Sequence, residues 1–71
     1  MIKIDINDQT PSKEDNGVLF LCIVKYNVSS QYELARWYDE SDEYPNDTPR
    51  FILKYEGIGK TVTHYYRLET I

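Results

Sequence analysis

The feature that most constrains the fold is an uninterrupted apolar run, Val18–Val24, which is followed by Lys25 and Tyr26. The run is rich in strand-forming residues and shows no alternation between apolar and polar positions. Consecutive side chains of a strand point to opposite faces, so this pattern is typical of a strand with two apolar faces. We therefore predict that residues 18–26 form the central strand of a small sheet.

Alternating or β-branched segments predict three further strands at residues 2–6, 50–55 and 61–68. The intervening segments 7–17, 27–30 and 57–59 are polar or glycine-containing and predict loops and turns. Strict alternation in the last strand would place four side chains on its more apolar side: Val62, His64, Tyr66 and Leu68.

Residues 31–39 are ambiguous. Ser30 and Glu33 have the spacing of a helix capping box, and Leu34, Trp37 and Tyr38 would share one helical face. We prefer a strand because no other segment has a helical period and the central strand needs a neighbour. Any short helix is expected within Ser30–Tyr38.

These elements predict a single all-β domain over residues 1–71, or a β domain with one short helix. The expected architecture is a small antiparallel sheet of four to five strands, strongly curled or closed as a barrel. The apolar residues barely suffice for a core in a chain of 71 residues, so we expect self-association into a homo-oligomer or stabilisation by a partner.

Residue counts exclude several classes of site. The single cysteine, Cys22, cannot form an intrachain disulfide, and its place in an apolar run suits a reducing compartment. One cysteine and one histidine exclude the usual zinc sites, so no metal or cofactor is expected. The chain has neither a signal-peptide pattern nor an apolar run of membrane-spanning length. We expect a cytoplasmic protein with no membrane contact.

The net charge of −4 arises in one segment. Residues 38–49, the acidic loop, hold five acidic residues and no basic one, which leaves seven acidic and eight basic residues elsewhere. Such a loop is often only solubilising, but it could also dock on a cationic partner such as a nucleic-acid-binding enzyme. The basic residues are scattered along the sequence, so we do not expect direct binding to nucleic acid.

Tyrosine and tryptophan are more numerous than a core of this size can hold, and both residue types are favoured in binding surfaces. Together with the acidic loop they give the candidate binding residues Trp37, Tyr38, Asp39, Glu40, Asp42, Glu43, Tyr44 and Tyr65.

Catalytic chemistry is not indicated, because the sequence shows no nucleophile paired with a base. His64, the only imidazole, is expected to be structural, bonded to a backbone group or a carboxylate. An alternative is an oligomeric binder of a nucleotide or metabolite, in which Arg36, His64 or Arg67 would contact phosphate.

Several of these residues also carry a family resemblance. The chain has Asp8-x-x-Pro11, then Gly17 before the Val18-Leu19 strand, and it closes with Val62-Thr63-His64-Tyr65-Tyr66-Arg67-Leu68. This pattern resembles domain of unknown function 551, small proteins frequent in phages and prophages, although Tyr65 and Glu69 stand where that family usually has Trp and Pro. The resemblance implies a mobile-element origin and a small β domain, and it transfers no catalytic residue.

The preferred functional hypothesis is a non-enzymatic phage or mobile-element protein that engages a host protein through an aromatic surface and the acidic loop. Inhibition of a defence system, such as a CRISPR effector, is the niche that the phage context suggests. The small-ligand binder described above is the alternative hypothesis.

Overall fold

The computed structural model describes residues 1–55 and 57–67, which form one antiparallel sheet in the order β1-β5-β2-β3-β4. Its strands are β1 (Ile2–Asp5), β2 (Leu19–Tyr26), β3 (Ser29–Tyr38), β4 (Arg50–Leu53) and β5 (Lys60–Arg67). The all-β class and the number of strands confirm the sequence prediction. The apolar run lies in β2, in the middle of the sheet, as predicted.

The ambiguous segment is a strand. β3 pairs with β2 from Tyr26 opposite Ser29 to Leu19 opposite Arg36, and a two-residue turn at Asn27 and Val28 joins them. Asn27 adopts a left-handed φ of 56°, which asparagine tolerates and this tight hairpin requires.

The expected position of a helix was wrong. The only helical turn in the described part of the chain is a 3-10 turn at Lys13–Asp15, outside the segment Ser30–Tyr38. The backbone N–H of Ser12 donates to the Asp15 carboxylate at 3.0 Å, and this local bond closes the turn.

The sheet is open, which corrects the prediction of a closed or strongly curled barrel. β1 and β4 form its two edges, and within residues 1–55 and 57–67 they do not pair with each other. Each edge strand has four residues. Such short strands leave little unpaired backbone at an edge, so the fold protects its edges without closing.

A β-bulge in β5 overturns the predicted face of the last strand. Ile23 of β2 opposes His64 and Val24 opposes Val62, so Thr63 is the extra residue. The extra residue shifts the alternation by one position. Val62 and Tyr65 therefore face the core, whereas His64 and Tyr66 face the other side; Leu68 lies outside the described residues.

The buried face of the sheet holds an aromatic cluster. Phe20 lies edge-on to Tyr65, with ring centroids 5.4 Å apart, and Phe51 contacts both Trp37 at 4.9 Å and Tyr65 at 5.6 Å. Edge-to-face and tilted pairs of this kind are favourable geometries for aromatic rings. The remaining members of the buried hydrophobic cluster complete the core: Cys22, Val24, Ala35, Leu53 and Val62.

Candidate functional site

The opposite face of the sheet, here called the exposed face, carries an apolar patch that no described part of the chain covers. Four of its side chains are exposed: Leu19 (50%), Tyr32 (66%), Leu34 (55%) and Ile52 (39%). Three half-buried side chains complete the patch: Leu21, Ile23 and Tyr66. Exposed apolar patches of this extent on small proteins usually mark interaction sites.

Strand register explains why these side chains are contiguous. Leu21 opposes Tyr66 of β5 on one side and Leu34 of β3 on the other, and directly opposed residues of antiparallel strands project to the same face. Ile23 opposes Tyr32 in the next row. The patch thus runs across the middle of the sheet, perpendicular to the strands.

Basic side chains surround the apolar patch. Lys3 opposes Tyr66, Arg36 opposes Leu19, and Arg50 opposes Tyr38, which places all three on the exposed face. Lys25 lies beyond Ile23 on β2, and Lys54 follows β4 beside Leu34 and Ile52. We call these five residues the basic rim.

The basic rim differs from the other basic residues in its pairing. Each of the other three basic residues contacts a carboxylate. Lys13 lies 2.9 Å from Asp42, Lys60 lies 3.3 Å from Glu33, and Arg67 lies 2.8 Å from Asp15. No carboxylate of the described residues lies within ion-pair distance of any member of the rim. Asp5 is the acidic residue that the described strands place on the exposed face, and it lies 3.7 Å from His64. Asp47 of the acidic loop reaches the same face, where it accepts from the Tyr38 hydroxyl.

The sequence prediction missed this arrangement. The basic residues are scattered along the sequence, but the fold brings five of the eight to one face. A signal was present in β3, where Tyr32, Leu34 and Arg36 alternate with core positions. The rim could not be predicted without the strand order and register.

The acidic loop is ordered by turns and is partly neutralised. Lys13 contacts Asp42 at 2.9 Å, and this contact raises the pKa of Lys13. The hydroxyl of Tyr38 donates to Asp47 at 2.9 Å, which raises the pKa of that phenol. Asp39 accepts from the hydroxyl of Ser41 at 2.7 Å. Lys13, which lies outside the loop, therefore neutralises one of its five carboxylates.

The structure separates the predicted binding residues into three groups by their burial. Trp37 is 4% exposed and Tyr65 is fully buried, so both are core residues and not part of an accessible surface. Asp42, Glu43 and Tyr44 are exposed in the acidic loop. The half-buried members of the prediction are Tyr38, Asp39 and Glu40.

The residues of the small-ligand alternative do not converge. Arg36 donates to the carbonyl of Gly17 at 2.6 Å, and His64 lies across the sheet beside Asp5. Arg67 contacts Asp15 and covers the ring of Phe20 at 5.3 Å, on the buried side. No observation on the described residues favours a shared phosphate site for these three side chains.

Cys22 is fully buried, and burial raises the pKa of its thiol to about 11. A thiol in this state is a poor nucleophile at neutral pH. The described residues contain no group of three His, Cys, Asp or Glu side chains placed to hold a metal ion. They also contain no helix with the length and apolarity needed to cross a bilayer.

Comparisons with known proteins found no match to this chain among family models, curated proteins or solved structures. The resemblance to domain of unknown function 551 therefore stays a prediction.

Proposed function

We propose that the protein is a non-enzymatic binding module that engages another protein through its exposed face. The observation that carries the proposal is the uncovered apolar patch centred on Leu21, Leu34 and Tyr32. Burying apolar surface contributes about 25 cal/mol per Å², so leaving such a patch in water forgoes a large stabilisation. A protein partner would recover that stabilisation.

The patch also has the layout of a protein interface. Its centre is apolar and includes tyrosines, while charged residues lie at its margin. Tyr32 and Tyr66 lie side by side, with ring centroids 6.2 Å apart, and tyrosine is enriched among residues that dominate binding energy.

The resemblance to phage and prophage proteins supplies a context for the partner. We propose that the partner is a host protein, and that a defence-system protein such as a CRISPR effector is the first candidate to examine. The acidic loop is a second surface in this proposal, suited to a basic partner such as a nucleic-acid-binding enzyme.

The test compares two double variants that each remove two exposed apolar side chains. Tyr32→Ser with Leu34→Ser alters the exposed face, whereas Val28→Ser with Ile58→Ser alters side chains that are 99% and 100% exposed elsewhere. Both variants should fold, because none of the four side chains is buried. We expect the first variant to lose capture of a host protein from lysate, identified by mass spectrometry, and the second to retain it.

A photo-crosslinking residue at position 34 should label the captured protein, and the same residue at position 58 should not. Equal labelling from both positions, or retention of the partner by the Tyr32 and Leu34 variant, would contradict the proposal.

A further inference from the structure

The basic rim indicates the chemistry of what covers the apolar patch. Among the described residues, five basic side chains lie on the exposed face against two carboxylates, Asp5 and the Asp47 that bonds Tyr38, although the whole chain carries a net charge of −4. The face therefore has a local charge opposite in sign to that of the molecule. We infer that the exposed face binds an acidic amphipathic protein segment, whose apolar stripe meets the patch and whose flanking carboxylates meet the basic rim.

The β3-β4 side of the face shows how such a segment would fit. Leu34 and Ile52 line a groove of about 600 Å³, with Arg36 and Lys54 also in its lining. Glu33 lines the same groove, but Lys60 contacts that carboxylate at 3.3 Å. Hydrogen bonding by Gln31, with a further contribution from Lys60, lowers the pKa of Glu33. Two cations beside an apolar floor are the complement of an acidic amphipathic ligand.

One cation lies on the opposite side of the patch. Lys3 lies beside Tyr66 at the β1 edge, in the same cross-strand row as Leu21 and Leu34. Strands in a sheet are about 4.8 Å apart, so about 19 Å separates β1 from β4 along such a row. A helical or extended segment lying across the patch would place acidic residues near both margins.

Two other occupants fit less well. A second copy placed face to face would bring two basic rims together, and like charges at an interface are destabilising. Single-stranded nucleic acid needs a row of exposed aromatic platforms, whereas most of the patch is aliphatic. Among the described residues its largely exposed rings are Tyr32 and, in the lining of the groove, Tyr55. The titration distinguishes the nucleic acid, and sedimentation at low and high salt distinguishes the second copy.

The inference rests on the proposed function and can be tested without the natural partner. Three synthetic 18-residue peptides would be titrated by calorimetry against the full chain. The first has a leucine stripe flanked by Glu, the second has the same stripe flanked by Lys, and the third keeps the Glu residues with Ser in place of Leu. A dodecamer of thymidine is the nucleic-acid probe.

We expect the Glu-flanked leucine peptide to bind about tenfold more tightly than the Lys-flanked one at low salt, with the difference shrinking as salt screens the charges. The Ser-containing peptide should not bind measurably. The net charge of −4 acts in the opposite direction, because it attracts the Lys-flanked peptide. A preference for Glu flanks can therefore come only from the local charge of the exposed face.

Substitutions in the basic rim test whether its residues cause the preference for the Glu-flanked peptide. Replacing Lys3, Lys25 and Lys54 together with Gln should reduce affinity for the acidic peptide about tenfold and leave the Lys-flanked peptide bound as well or better. Lys13→Gln is the matched control, because Lys13 lies off the face and contacts Asp42. This control should leave the preference for Glu flanks unchanged.

Tighter binding of the Lys-flanked peptide, or no binding of any peptide, would overturn the inference. Tighter binding of the thymidine dodecamer than of the acidic peptide would overturn it in favour of nucleic acid. Failure of the proposed function is recognised separately. If capture from lysate depends on Tyr32 and Leu34 while no charge preference exists, the function stands and only the acidic partner is wrong.

Discussion

His64 lies half-buried between two polar groups. Its Nδ1 is 2.9 Å from the Thr63 hydroxyl, and its Nε2 is 3.7 Å from the Asp5 carboxylate. The structural role of His64 stays a prediction, and the bulge turns its ring away from the core.

We predict that His64→Gln lowers the free energy of unfolding by about 1 kcal/mol and leaves partner binding intact, because Gln keeps a donor and an acceptor. Urea unfolding gives the first quantity and the peptide titration gives the second. Loss of binding in a variant that is still folded would show that the ring contacts the partner.

The ion pair between Asp15 and Arg67 ties the loop before β2 to the end of β5. A hydrogen bond from Arg67 lowers the pKa of the Asp15 carboxyl, and the backbone N–H of Ser12 contributes in the same direction. Because the pKa is lower in the folded chain, the unfolded chain binds the proton first as the pH falls. The stabilisation is therefore complete above about pH 5 and is lost progressively below about pH 4.

We predict that Asp15→Asn lowers stability at neutral pH and flattens its dependence on pH between about 5 and 3. Urea unfolding at several pH values measures both effects. Asp8→Asn is the control, because Asp8 is exposed and belongs to no ion pair of the described residues. An equal change of slope in both variants would contradict the assignment to Asp15.

At the scale of the elements, the β5 bulge decides which side chains reach the core. Removing Thr63 would leave Val62, His64 and Tyr65 as consecutive residues of a regular strand. Val62 and Tyr65 would still face the core, and His64 would still face the other side. The deletion loses the bond from the Thr63 hydroxyl to the carbonyl of Ile23, at 3.3 Å.

We predict that deletion of Thr63 costs about 1 to 2 kcal/mol and preserves the fold. Deletion of Leu34 in the regular part of β3 should instead unfold the chain, because one end of that strand must then reverse its faces. Circular dichroism during thermal unfolding distinguishes the two. An unfolded Thr63 deletion would mean that the bulge itself is required.

The acidic loop is the second element whose role can be tested. We predict that replacing Asp39, Glu40, Asp42 and Glu43 with Asn or Gln leaves the fold unchanged, since charges in a surface loop contribute little to stability. The Asp39→Asn change keeps a side-chain oxygen that can accept the bond from the Ser41 hydroxyl. Association with a basic partner should become slower and less dependent on salt. An unchanged association rate at low ionic strength would show that the loop is only solubilising.

At the scale of the whole molecule, the uncovered patch bears on stability and association. We predict that the protein either self-associates at micromolar concentration or is markedly stabilised by a partner. Any association through two exposed faces should strengthen with added salt, because salt screens the repulsion between the basic rims. Sedimentation at low and high salt measures this. A monomer whose high melting temperature is independent of protein concentration would contradict the prediction.

The local sequence pattern was sufficient to predict most of the strands and turns. The two-faced apolar run defined the central strand, alternation and β-branched residues located the other strands, and the turn residues located the breaks, because these preferences act over a few neighbouring residues. Burial of Cys22 could be predicted in the same way, from its place in the apolar run.

Only the tertiary structure decided which side chains lie on each face of the sheet. The bulge at Thr63 reversed the face of His64, and packing of three strands around Phe51 placed Trp37 and Tyr65 in the core instead of on a surface. Strand order brought Lys3 and Lys54 to opposite margins of one patch, although they are far apart in the sequence. Such juxtapositions depend on pairing between distant strands, and a one-residue shift of register would invert them.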